Sequence, residues 1–307
     1  MLDGRDGRNG RDRREVKELR LGFSFNHEWW DECVLVELFP TLRACGITDI
    51  EINPPPEHMS EAAAQAYQAL EAGFRCHFHA PYPEDFPICD YHGAGKARAA
   101  SEEIFRNLLD LALECAVRQG SPSVINLHGA SGRVDRYDAI ELRRATRDFL
   151  RWAVGVVGDY PVKIALETMG FSTAVYRVGQ FGGEILDIVK EVAGKALGLG
   201  LDMGHCARNE RDRGVPYELN DDFIKRVVHV HLHDIDHNGI GHAPLIYGTV
   251  GYDGYLQWLA RRHYQGVVVL ELNYDQMKRA GDPLEMLRLS AQRARQAWKG
   301  IGPGERR

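Results

Sequence analysis

The chain has 307 residues, 44% hydrophobic and 27% charged, with a formal net charge of -6. This is the composition of a globular protein long enough to bury one large core, and no apolar run reaches the roughly 18 residues that span a bilayer. The negative balance gives no electrostatic reason for a nucleic-acid partner, so neither nucleic acid nor a membrane is expected.

The first stretch, MLDGRDGRNGRDRREVKE, is rich in Arg, Asp and Gly and has no hydrophobic segment. It lacks the features of a secretory signal and is read as a disordered extension over residues 1–18. From residue 19 the chain alternates short β-rich runs with longer amphipathic ones. Strands are predicted at 19–25, 47–52, 74–79, 123–128, 162–167, 196–202, 227–233 and 267–272. Helices follow them, most clearly DECVLVELFPTLRACG from residue 31, SEEIFRNLLDLALECAVRQG from residue 101 and AIELRRATRDFLRWAVGVV from residue 139. The tail from 299 to 307 is read as flexible. Cys33, Cys45, Cys76, Cys89, Cys115 and Cys206 show no paired spacing, which fits free thiols in a reducing, cytoplasmic compartment.

Strands alternating with helices imply right-handed βαβ units and a parallel sheet. Eight such units predict a single-domain α/β fold, a closed (β/α)8 TIM barrel over residues 19–298. Parity within the strands supports closure. Ile50 and Ile52 share one face and Asp49 and Glu51 the other; Ile164 and Leu166 oppose Ala165 and Glu167; Leu199 and Leu201 oppose Gly200 and Asp202. A face of large apolar residues packs under helices, and a face of small or polar ones fills the barrel. A doubly wound sheet, buried on both sides, reads as uniformly apolar instead.

The inward residues at the C-terminal strand ends are then Asn26, Glu51, His79, His128, Glu167, Asp202, His231 and Glu271. Loops converge over that rim, and barrel active sites lie there. So many carboxylates repel one another unless protons or a cation neutralise them. Two Glu, one Asp and one His suit a divalent ion such as Mn²⁺, Mg²⁺, Co²⁺ or Zn²⁺. His79 and His128 are candidates for a second metal bridged through Glu167, or for partners of a substrate. No nucleotide cofactor is expected.

HFHAPY (77–82), INLHGASG (125–132), ALETMG (165–170), LDMGH (201–205), HVHLHD (229–234), GHAPL (241–245) and VLELN (269–273) occur in the order seen in xylose isomerase-like TIM barrels. The chain resembles that superfamily, which includes sugar and sugar-phosphate isomerases and epimerases and the endonuclease IV type of apurinic endonuclease. The resemblance implies a metal site at Glu167, Asp202, His231 and Glu271. Parity alone does not choose among His229, His231 and His233; depth in the strand and the resemblance select His231. A third zinc position of the endonuclease branch implies His205 and an Asp-x-His pair, which here reads Ile240-Gly241-His242. Ile240 cannot ligate a metal, and Asp234 or Asp236 are the alternatives for that place.

The resemblance implies two activities. In the first, a metal-dependent sugar or sugar-phosphate isomerase or epimerase, Glu167 and Glu271 are the acid and base around an enediolate, and Glu51, His205 and His242 bind substrate. In the second, a dinuclear phosphoesterase, His79 and His128 hold a second ion. Arg177, in the loop after the Glu167 strand, is a candidate contact for a phosphate or carboxylate. A small-molecule sugar is the expected partner, and assembly into a homo-oligomer is left open.

Overall fold

A computed structural model of the chain describes residues 18–54, 58–93 and 95–300. Residues 1–17 of the predicted N-terminal extension, residues 55–57 and 94, and residues 301–307 of the C-terminal tail lie outside the described residues. Eight parallel strands close into a barrel: β1 (Leu21–Phe25), β2 (Asp49–Ile52), β3 (Arg75–His79), β4 (Ser123–Leu127), β6 (Val162–Glu167), β8 (Leu197–Asp202), β9 (Val227–Leu232) and β10 (Val268–Leu270). Each pairs with its sequential neighbour, and β1 closes the ring by pairing Leu21 with Val268 and Phe23 with Leu270. All eight predicted strands are present.

The parity prediction holds in three dimensions. Phe23, Ile50, Ile52, Ile125, Leu127, Ile164, Leu166, Leu199, Leu201, Val230 and Leu270 are fully buried, on the faces that alternate with the polar residues. Burying each such side chain contributes about 1.5–3 kcal/mol. The matching helix stripes supply the other half of this layer. In the helix Ala139–Val157, Leu142, Ala145, Phe149, Leu150, Ala153 and Val157 recur at helical spacing and are buried. Asp138 caps that helix, its side chain accepting from Ile140 N at 2.7 Å.

Two elements differ from expectation. The first predicted helix is divided into His27–Glu32 and Leu35–Ala44, because Cys33 and Val34 between them are extended. The loops after β4 and β6 also form a two-stranded antiparallel sheet, β5 (Ser131–Arg133) with β7 (Val175–Arg177). Three-residue strands without alternation carry no periodic signal, so nothing in the sequence marked them. They matter because they fix Arg177 beside the rim.

The barrel interior is polar instead of being filled by the branched aliphatic side chains usual for this architecture. At its lower end Asp49 is fully buried and accepts from Arg75 Nε at 3.0 Å, Arg20 Nε, Thr48 Oγ1 at 2.7 Å and His77 Nε2 at 2.9 Å. His77 Nδ1 accepts from Val124 N at 3.1 Å, which leaves Nε2 as the donor to Asp49. One layer up, Glu51 accepts from Ser24 Oγ at 3.1 Å and from His229 Nε2 at 2.6 Å. The six cysteines are free thiols. Among the described residues no helix is long and apolar enough to cross a membrane.

Candidate metal centre

Above Glu51 the barrel interior becomes a cluster of donors. Glu167, Asp202, His231 and Glu271 are all buried, and one ligand atom from each lies within 4.8 Å of the others. His231 Nδ1 stands 3.1 Å from Glu271 Oε2, 3.5 Å from Glu167 Oε1 and 3.9 Å from Asp202 Oδ2. These same four atoms are buried without a hydrogen-bond partner among the described residues. A buried polar atom left unpaired costs about 1–3 kcal/mol. Four of them aimed at one point therefore fit a cation held between them, and the three-carboxylate, one-imidazole set suits a hard or borderline divalent ion.

Local structure explains each placement. Asp202 ends β8 and begins the helix Met203–Arg213, where its Oδ1 accepts from His205 N at 2.6 Å; the cap bond fixes the carboxylate and leaves Oδ2 facing the cluster. Glu271 lies one residue past β10, its backbone N still donating to Leu232 O at 3.2 Å. Glu167 Oε2 accepts from Asn126 Nδ2 and lies 3.2 Å from His79 Nε2 and 3.4 Å from His128 Nε2. Its two oxygens thus face different ways, Oε1 toward His231 and Oε2 toward the His79–His128 pair. These two histidines and Glu167 form a second group with metal-ligand spacing. Gly200 permits this crowding: a Cβ there would stand 2.5 Å from Asn126 Oδ1 and 3.2 Å from Glu167 Cα.

Glu51, expected to orient a substrate hydroxyl, sits beneath the cluster. Its carboxylate lies 3.0 Å from His231 Nε2, and Ser24 and His229 occupy the remaining positions, so it supports His231 and faces no open space. His205 and His242 reach the rim as expected. His205 Nδ1 donates to Thr168 O at 2.9 Å, and His242 Nδ1 lies 3.4 Å from Glu271 Oε2. His242 has a positive φ of 54, a conformation uncommon for a residue with a side chain, and its ring stacks on His233 with centroids 4.2 Å apart.

His233 is the residue sequence reasoning passed over. It joins His205 and His242 in a third group of donors with metal-ligand spacing, and its Nε2 is 3.2 Å from Asp202 Oδ1. Ile240 is 42% exposed and does not enter that group. Neither alternative aspartate replaces it. Asp234 accepts from the backbone N–H groups of Tyr247, Gly248, Thr249 and Val250, and Asp236 accepts from those of Asn238 and Ile240. Trp29, just after β1, is fully buried and donates to Leu272 O at 2.8 Å, so its role is packing.

The charge balance shows what the cluster lacks. Burial opposes charge on His79 and His205, yet the carboxylates around them, Glu167 foremost for His79 and Asp202 for His205, pull both up to about 9. Burial likewise opposes ionisation of Glu271, but the facing His231 and His242 hold it down at about 2. The site therefore holds a surplus of negative charge that draws in protons, and a divalent ion is the alternative counter-charge. Over it opens a cavity of about 280 Å³, lined among others by Tyr82, His128, Met169, His205, His242 and Glu271.

Fold and site together define the class: a (β/α)8 barrel carrying its candidate chemistry on the C-terminal rim. The chain belongs to the xylose isomerase-like TIM barrel family, which it matches over residues 39–296. It is similar in structure to D-psicose 3-epimerase from Clostridium cellulolyticum H10, with a TM-score of 0.63 at 15% identity over 92% of this chain and 99% of that one. It is also similar to 3-keto-D-glucoside 4-epimerase from E. coli, with a TM-score of 0.64 at 17% identity over 91% and 99%. At these identities the likeness establishes the fold. The uncharacterized protein MJ1311 of Methanocaldococcus jannaschii is 30% identical over 125 residues, 38% of this chain and 39% of that protein, so the match spans about two fifths of that relative.

Proposed function

We propose that the protein is a divalent-metal-dependent sugar isomerase or epimerase, moving a proton at the carbon beside a carbonyl. One observation carries the reading: four unpartnered ligand atoms from Glu167, Asp202, His231 and Glu271 converge beneath a cavity sized for a single sugar. Family membership and the sugar epimerases among its structural neighbours support it. When bound, a divalent ion supplies a Lewis acid that chelates neighbouring substrate oxygens and acidifies the adjacent C–H.

The chain's own residues supply the rest. Glu271 lines the cavity and is placed to take the proton. Glu167 rises from a different strand and serves as the second proton carrier, with Asn126, His79 and His128 holding its far oxygen. Two carboxylates on two strands allow a proton taken from one face of the carbon to be replaced from the opposite face, as epimerisation requires, or on the neighbouring carbon, as isomerisation requires. His205, its Nδ1–H given to Thr168, turns the rest of its ring to the cavity and meets a substrate hydroxyl. The test is deuterium incorporation from D₂O into a panel of ketoses by the metal-loaded protein. The expected result is label at the carbon beside the carbonyl; no label in any sugar overturns the reading.

A second reading, a dinuclear phosphoesterase, is favoured by one observation, the His79–His128–Glu167 group behind the first. It requires two tightly bound ions per chain and cleavage of a phosphate ester such as abasic-site DNA. One ion per chain and intact DNA remove it.

A further inference from the structure

We propose that Arg177 and Arg208, on the wall of the cavity, build an oxyanion subsite that binds a phosphate or carboxylate on the substrate. The proposal rests on the sugar reading above and narrows its substrate to an anionic sugar derivative. Both arginines line the cavity that also holds His205 and Glu271. They come from separate elements, Arg177 from the end of β7 and Arg208 from the helix that Asp202 caps.

Gly170, three residues after Glu167, is where they meet. Arg177 Nη1 donates to Gly170 O at 3.2 Å. A Cβ on Gly170 would lie 3.6 Å from Arg208 Cδ and 3.4 Å from the His205 ring, so the bare backbone brings both arginines beside a candidate substrate histidine. The antiparallel pairing of Arg177 with Ser131 fixes the backbone that carries the first guanidinium.

The charges there are only partly compensated. Among the described residues Arg177 forms no ion pair; Glu84, on the cavity wall, is the acid acting on it. Arg208 pairs with Asp212 at 3.4 Å, one turn along its own exposed helix face. Burial and the neighbouring Arg208 both pull the Arg177 guanidinium below its ordinary value, against Glu84. The guanidinium fork matches the paired oxygens of a phosphate or carboxylate. The cavity wall thus carries both signs, Glu271 on one side of the charge balance and the Arg177–Arg208 pair, only partly offset by Glu84, on the other. It selects a short molecule that carries both vicinal oxygens and an oxyanion.

The test uses the Mn²⁺-loaded protein, with inorganic phosphate and acetate as binding probes and matched ketose, ketose phosphate and keto-acid substrates. Phosphate is expected to bind in the millimolar range or tighter and to weaken at least about tenfold in R177Q/R208Q, since two charge-assisted hydrogen bonds are lost. Phosphate bound to the metal instead is indifferent to these substitutions. R177K keeps the charge and retains part of the binding. The ratio of kcat/KM for the anionic over the neutral sugar is expected to fall about tenfold or more in the double variant. Acetate and keto-acids competing better than phosphate and ketose phosphates assigns the carboxylate source; the reverse assigns phosphate. Wild-type Mn²⁺ content in each variant shows an intact barrel. Anion binding unaffected by both substitutions, or an unchanged ratio, overturns the subsite. Arg-dependent phosphate binding without turnover of any sugar leaves the subsite standing and removes the sugar reading instead.

Discussion

His231 Nε2 lies 3.0 Å from both carboxylate oxygens of Glu51, while Nδ1 of the same ring faces Glu271, Glu167 and Asp202. Glu51 therefore accepts a hydrogen bond from Nε2–H, which leaves the Nδ1 lone pair turned to the metal position. Ligating histidines usually have such a partner on the other nitrogen, and its loss costs about 10–100-fold in metal affinity. Glu51→Gln is expected to weaken Mn²⁺ binding by that factor with the fold retained, measured by metal titration. Unchanged affinity sinks the role assigned to Glu51.

The chemical roles of the two glutamates are separable from folding. Glu271→Gln keeps the shape and removes the base, so deuterium exchange is expected to fall about 10²–10⁴-fold. Circular dichroism should stay that of the wild type. A variant that retains full exchange reassigns the proton carrier to Glu167 or a histidine.

Gly200 predicts a steric effect at a distance from any ligand atom. A methyl there meets Asn126 Oδ1 at 2.5 Å and the Glu167 backbone at 3.2 Å. Gly200→Ala is expected to cost about 1–3 kcal/mol in stability by overpacking and to weaken metal binding by displacing Glu167. Urea denaturation and metal titration read the two effects, and a variant as stable and as well loaded as the wild type contradicts the packing described.

The lower end of the barrel predicts a pH dependence. Burial alone raises the Asp49 carboxyl, but hydrogen bonds from His77, Arg20 and Arg75 outweigh it and hold the group well below the usual carboxylate range. A depressed acid contributes stability that is present above its unfolded value, near pH 4, and is lost as pH falls below it. Asp49→Asn is expected to cost about 3 kcal/mol near pH 7, at the lower end for a buried charge losing its partner, because Arg20 and Arg75 reach solvent. The gap between the two proteins in urea midpoint should narrow below pH 4. A gap that widens there instead means Asp49 is not the charged partner.

The barrel was legible in the chain because its evidence is local. Alternation places Ile164 and Leu166 on one side of β6 and Glu167 on the other whatever the rest of the molecule does, and eight such strands leave a closed ring as the economical arrangement. The strand ends carried the rim residues for the same reason. Which atoms meet was not local. His229, His231 and His233 share a face, and only the stagger of β8, β9 and β10 brings His231 Nδ1 among three carboxylates, puts Glu51 under it and sets His233 against Asp202. Arg208 carried no signal, since one arginine among several on an exposed helix face looks like any other. Its meeting with Arg177 depends on β5 pairing with β7, a contact between loops more than forty residues apart. Period and parity are properties of neighbouring residues and are written in the chain. The convergence of side chains from different strands depends on how the closed sheet is staggered, and only the folded barrel decides it.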